Sequence, residues 1–448
     1  MKHVVFWLVL AVIPVLSCLL AVNRRWLGWA FYAMVLGLCK SAETNIVFFS
    51  NATYRGTSRG MEVSLLYLIA LLVVLALVMR GRMQRLLPEG GIRLYALYFL
   101  LCLPGGILNA DDGLVAWFEV WKMLMLFLVW HAAYGYLAAT GAKEVAVKML
   151  AFFTLANFAE VLLQHYGGVY QARGFFSHRN GMGMAMNLLG PMFFAGYLQL
   201  GLRDRLGILC GVSFACAALS TMWSYSRGAI AVLPIGYGLA VLGSLADTRS
   251  WNRVLPRLWP MVAIGLLGLA TIWPHLAARF RVTEDSKTKQ ASRETRIALA
   301  RCAWEMMKEH PWAGVGINNW ILNLDQERHP YQERAGNALD RDMNFKGLVE
   351  TVYLLVGAEC GIPALLAMLA WFGWHWAACL RLLRRLRNSR WRFVPVGLLG
   401  GFSADYLQST LEWVLRQKLG MFFLVFCFAL IAHLRTEKPP RQPEGMAA

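Results

Sequence analysis

Residues 346–361, KGLVETVYLLVGAECG, open an apolar run of membrane-spanning length yet hold two carboxylates, Glu350 and Glu359. A carboxylate in lipid is costly unless it is paired, protonated or facing water. If both stand on one helix, nine residues at about 100° each put them on opposite faces, about 13 Å apart along the axis. They cannot then act as a close acid/base pair. Glu350, at the start of the run, could take the proton of an acceptor hydroxyl as a general base, or form a structural ion pair with an arginine. Glu359, deeper and beside Gly361, reads as a carboxylate satisfied by another helix.

Arginine is the second signal. ATYRGTSRG carries Arg55 and Arg59, and QARGFFSHRNGMG carries Arg173, His178, Arg179 and Asn180. WSYSRGA places Arg227 at the mouth of an apolar run, and 279–346 adds Arg279, Arg281, Arg293, Arg296 and Arg301. A guanidinium is a planar fork of donors that grips phosphate, so the group fits an anionic, phosphate-bearing ligand. The alternative is pairing with Glu284, Asp285, Glu294 and Glu309, or with lipid headgroups. Arg227 is the most specific of these: helix N-termini favour anions, and an arginine at a membrane mouth needs water or a partner. His310, before Pro311 at a helix end, reads as a cation complementing the dipole. HPWAGVGINNW (310–320) is a glycine-punctuated turn without phosphate-cradle spacing.

These residues need elements to hold them. The chain of 448 residues is 58% hydrophobic and 16% charged, and spanning-length apolar runs recur along it. This predicts an all-α fold, a polytopic helical membrane protein. Spans are centred in 4–22, 26–40, 61–79, 93–108, 115–139, 145–164, 182–202, 206–222, 228–246, 258–278, 347–379, 393–411 and 413–434. The count is about twelve, with 26–40 short for a crossing, or thirteen if it and 4–22 both cross fully. The first run lacks a small-residue cleavage site and reads as a retained helix. The chain divides into membrane helices over 1–278, a long loop over 279–346, membrane helices over 347–434 and a tail over 435–448.

The net charge of +18 fits Lys and Arg in cytoplasmic loops rather than nucleic-acid binding, since no basic domain stands apart from the spans. RGRMQR (80–85), RDR (203–205), RSWNRVLPR (249–257) and RLLRRLRNSRWR (381–392) are placed inside. Segments 41–60, 165–181, 224–227 and 279–346, which carry the arginines above, fall outside. All nine cysteines except Cys302 lie in or beside apolar runs, so there is no disulfide framework and no metal spacing. Within the long loop, SRETRIALARCAWEMMKEH (292–310) predicts an amphipathic helix with Ile297, Ala300, Trp304 and Met307 as its apolar stripe.

Four stretches resemble the O-antigen ligase and polymerase superfamily of bacterial envelope enzymes: GFFSHRNGMGMAMNLLGP, SYSRGAIAVL, RIALARCAWEMMKEHPWAGVGINNW and VETVYLLVGAECG. The resemblance implies a multi-pass protein of the bacterial inner membrane, its active side periplasmic, using no cofactor and no metal. It implies transfer of a glycan from an undecaprenyl-pyrophosphate-linked donor, with inversion, to lipid A core, another glycan or a protein hydroxyl. Arg227 and Arg296 match arginines that hold the pyrophosphate, with Arg55, Arg59, Arg173, His178, Arg179, Asn180, Arg293 and Arg301 as further substrate contacts. The family's His-Asn pair falls on Glu350-Thr351, a departure that makes a glutamate the expected base. Glu359 matches a glutamate the family also has. A rival from another class is a lipid or polysaccharide transporter or an export-complex subunit, with Glu119, Lys122, His131, Glu160, Glu359 and Asp405 as its ionisable path.

Overall fold

The computed structural model describes residues 2–39, 45–82, 86–246, 251–281, 287–325, 328–335 and 347–437. The described residues are mostly helical: α1 (Lys2–Val22), α2 (Arg24–Cys39), α3 (Leu65–Met79), α4 (Gly90–Leu108), α5 (Gly113–Thr140) and α6 (Lys143–Tyr166). There follow α7 (Arg179–Leu200), α8 (Arg205–Trp223), α9 (Arg227–Leu245), α10 (Trp251–Arg281) and α11 (Lys287–Glu309). The short α12 (Tyr331–Arg334) precedes α13 (Val352–Arg385), α14 (Phe393–Gln408) and α15 (Lys418–Thr436). Among the described residues, seven helices are long and apolar enough to cross a membrane: α4, α5, α6, α8, α9, α13 and α15.

The helices alternate in direction between two ends, as contacts among their connections show. At one end Arg24 donates to the Thr140 carbonyl, Lys143 pairs with Glu437, Arg390 reaches Asp204 and Arg392 reaches the Gly243 carbonyl. At the other end Asn318 bonds Ser58, Tyr170 stacks on Tyr225, and Asn180 bonds Glu412. The first end gathers the basic connections, and the second gathers the segments expected to share the opposite side. Phe6 of α1 meets Phe48 at the second end while Arg24 sits at the first, so α1 and α2 each run the length of the molecule.

Three sequence expectations change. The run 61–79 is not all helix: Met61–Val63 is a strand, β2, paired antiparallel with β1 (Ile46–Phe48), and α3 starts only after Ser64. The run 413–434 starts late, because Val414–Arg416 forms a 3-10 turn before α15. The apolar stripe of α11 is rotated: Ala298, Leu299, Cys302, Ala303, Met306 and Met307 are buried, while Ile297 and Trp304 are 43% and 56% exposed. Leu299, Cys302, Ala303, Met306 and Met307 pack with Val315, Trp320, Leu348, Val349 and Leu355 in a satellite core separate from the main one. That core holds α11 against the start of α13.

α13 is broken at Gly361, whose φ of 83° lies outside the helical region. Pro363 has no N–H for the carbonyl of Glu359, and the Ile362 N–H turns instead to the Pro311 carbonyl. The two carbonyls so released accept from the 310–320 turn: that of Ala358 from the Val315 N–H and that of Glu359 from the Gly316 N–H. The glycines allow this approach, since a Cβ at Gly314 would lie 2.3 Å from the Glu359 carbonyl carbon.

Candidate functional site

At the second end, α11 and the entry to α13 bring two expected residues together. Arg296 Nε stands 2.5 Å from Glu350 Oε2, both side chains partly exposed. The satellite core fixes this pair: Leu299 and Cys302 follow Arg296 into it, Leu348 and Val349 precede Glu350, and Trp320 Nε1 donates to the Gly347 carbonyl. The sequence reading put Glu350 on the helix of Glu359; it stands just before that helix instead. Thr351 caps α13, and the Val352 N–H bonds the Ser409 carbonyl, so the chain before it is drawn toward the 409–417 connection.

That connection supplies a residue the sequence reading missed. Glu412 Oε1 accepts from Asn180 Nδ2 at 2.5 Å. A Cβ at Gly228 would stand 4.0 Å from the same oxygen, which places Glu412 against the first turn of α9 beside Arg227. Burial pushes the Glu412 carboxyl up to about 7; Asn180's hydrogen bond pulls it down, Glu350 adds to the rise, and Arg296 and Arg179 oppose it. Arg179, Asn180, Arg296, Glu350 and Glu412 therefore form one electrostatic cluster at the mouth of α9. Its signal in the sequence was a lone carboxylate between the runs 393–411 and 413–434.

Ser226 caps α9, its hydroxyl accepting from the Ala229 N–H, and Arg227 follows at the first helical position, exposed. Asn187 of α7 ties this helix start to α14, donating to the Ala229 carbonyl and to Gln408 Oε1. Asn157 and Gln164 of α6 pin the turn before α7 through the backbone N–H groups of Arg173, Gly174 and Phe175. Arg173 is exposed there, its side chain reaching the Ser177 carbonyl. His178 caps α7, its Nδ1 accepting from the Asn180 N–H; burial, then Arg179, lowers its proton affinity. Arg301 is exposed on α11, and the Arg293 side chain lies outside the described residues, as do Glu284 and Asp285. Arg55 and Arg59 line a separate open cleft of about 500 Å³ with Ala52 and Thr53, and no contact among the described residues joins them to the Arg296–Glu350 pair. His310 instead lies near Glu309, at 3.9 Å.

A second ionic group lies inside the molecule. Arg416 Nε is 3.1 Å from Glu119 Oε1, and its Nη2 is 2.9 Å from Glu359 Oε2. Lys122 Nζ pairs with Glu119 at 2.6 Å and donates to the Arg416 carbonyl. Thr57 and Ser58 hydroxyls donate to Glu119, and the Trp320 N–H donates to Glu359. Three of the residues proposed for a transport path thus converge, but as a buried ion-pair network around one guanidinium. His131, Glu160 and Asp405 have no described contact with it.

Fold and site together define a multi-pass helical membrane protein with an arginine- and carboxylate-rich cluster where its connections meet. Residues 212–369 match the family model described as O-Antigen ligase, roughly a third of the chain, and the match supports the O-antigen ligase superfamily. It takes in Arg227, Arg296, Glu350 and Glu359, while Arg179, Asn180, Glu412 and Arg416 lie outside it. No curated protein matches the chain.

Proposed function

We propose that this chain is an inverting glycosyltransferase acting at the periplasmic face of a bacterial inner membrane, which it crosses about twelve or thirteen times. It takes a glycan from undecaprenyl pyrophosphate and passes it to a hydroxyl of lipid A core. The observation that carries this reading is the Arg296–Glu350 pair, which stands in one cluster with Glu412 against the Arg227-led start of α9. A guanidinium at a helix N-terminus combines a fork of donors with the positive end of the macrodipole, which suits a pyrophosphate leaving group. Arg227 and Arg296 would carry that charge as it develops. The ion pair with Glu350 approaches Arg296 at Nε, and the planar fork of its guanidinium offers further donors suited to phosphate oxygens. Arg179 adds positive charge that acts on Glu412.

Polymerisation of repeat units, or transfer to a protein hydroxyl, would use the same donor and the same arginines. The deciding experiment is deletion of the gene, with chemical identification of the glycoconjugate that disappears. Loss of glycan-capped lipid A core supports the ligase reading; loss of chain length alone, or of a glycoprotein, selects the other acceptors. If Arg296→Ala and Glu350→Gln both restore transfer at the wild-type rate in the deletion strain, the mechanism is wrong.

A further inference from the structure

We propose that Glu412 is the general base that deprotonates the acceptor, and that Glu350, at the position where the resembling family keeps its histidine, positions Arg296 instead. The inference rests on the glycosyltransferase reading above. Glu350 Oε2 stands 2.5 Å from Arg296 Nε. Taking a proton there would break the pair that orients an arginine needed for the leaving group. Glu412 has a different setting. Its Oε1 is held by Asn180 at 2.5 Å, which fixes the carboxylate plane without neutralising it. Oε2 has no described partner. The residue sits in a turn closed by the Thr410 N–H to Leu407 and the Leu411 N–H to Gln408 bonds, so its backbone is set by α14 rather than by a free loop. It lies against Gly228, next to the arginine that leads α9.

The step is balanced without a co-reactant. The acceptor O–H gives its proton to Glu412 Oε2. The acceptor oxygen forms a bond to the anomeric carbon as the carbon–oxygen bond to pyrophosphate breaks. The electron pair goes to the phosphate oxygen, held by Arg227 and Arg296, and the Glu412 proton then passes to water. Efficient general bases have proton affinities near the working pH. Partial burial among like and opposite charges gives Glu412 that property.

The test uses the full-length protein expressed in membranes of a deletion strain, which retain their own undecaprenyl-pyrophosphate-linked glycan and acceptor. Initial transfer rates are measured across about pH 5 to 9. Wild type should gain rate with rising pH as Glu412 ionises. Glu412→Gln should lose ~10²–10⁴-fold and show no such rise. Glu412→Asp should keep the rise at reduced rate. Asn180→Ala removes a hydrogen bond that favours the carboxylate, so its rise should move to higher pH, a shift that a folding defect would not produce. Glu350→Gln should be slower once Glu412 is ionised, and should keep the rise, moved to lower pH because the charge of Glu350 no longer raises the Glu412 carboxyl. A Glu412→Gln rate within about threefold of wild type, or loss of the rise in Glu350→Gln alone, overturns the assignment while leaving the glycosyltransferase reading intact. Absence of transfer by wild type, with gene loss leaving all glycoconjugates unchanged, overturns both.

Discussion

Glu359 of α13 and Arg416 of the turn before α15 are joined at 2.9 Å, fully buried, across 57 residues of chain. Glu119 of α5 shares the same guanidinium at 3.1 Å. One side chain therefore links three separately expected spans. It does so beneath the cluster that Glu412, four residues earlier, completes above.

Breaking that link should be expensive. Removing one member of a buried ion pair leaves an uncompensated charge and costs ~3–5 kcal/mol. Arg416→Ala is expected to lower the unfolding temperature in detergent sharply and to reduce membrane yield. Glu359→Gln in the Arg416→Ala background should cost less than the sum of the two single changes. Additive losses would show that the two groups do not depend on each other.

Arg296 and Glu350 offer a second cycle with a different readout. If Glu350 acts through Arg296, Arg296→Ala should depress glycan transfer strongly, and adding Glu350→Gln should change little more. Arg296→Lys should rescue poorly, because a point charge lacks the planar fork. Equal and independent losses from the two single variants would argue for separate roles.

Gly314 of the 310–320 turn should tolerate a side chain far less well than a glycine on an open helix face. Gly314 has φ +67° and a Cβ there would meet the Glu359 backbone at 2.3 Å, so Gly314→Ala combines steric clash with a left-handed strain of ~1–2 kcal/mol. Gly238, in the middle of α9, has open space around the same position, and Gly238→Ala should be neutral or slightly stabilising. Thermal scans of the two purified variants separate them; comparable stability would mean the turn is not seated as described.

The rotated face of α11 can be checked by truncation. Leu299 is 3% exposed, so Leu299→Ala should cost ~2–5 kcal/mol, whereas Ile297, 43% exposed, should cost about 0.5 kcal/mol or less as alanine. The reverse order would restore the stripe of Ile297, Ala300, Trp304 and Met307.

Much of the helical framework was legible because apolar runs and basic connections follow the bilayer's physics directly. The runs 115–139, 145–164, 206–222 and 228–246 became α5, α6, α8 and α9 with ends moved by three residues or fewer. What failed was local. Ile297 and Trp304 have the right spacing for a buried stripe, but Leu299, Cys302 and Met306 have the same spacing one step around the helix, and period alone cannot choose between them. The break at Gly361 was hidden because glycine and proline are tolerated inside membrane helices when a neighbour restores the lost bonds. Arg416 was counted inside an apolar run without asking for its partner, although an intramembrane arginine demands one. Glu412 was missed because it belongs to no motif. Its value comes from Asn180, 232 residues away.

The seat of the 310–320 turn in the gap of α13 has a last consequence. The 310–320 turn that follows α11 is not a hinged lid over a finished membrane body. Its backbone fills hydrogen-bonding positions that α13 gives up at Gly361 and Pro363, so a piece of the loop serves as the missing rung of a helix. Substrate must therefore reach the cluster around a fixed wall, and grafting a different loop here would unseam the helix as well as change the surface.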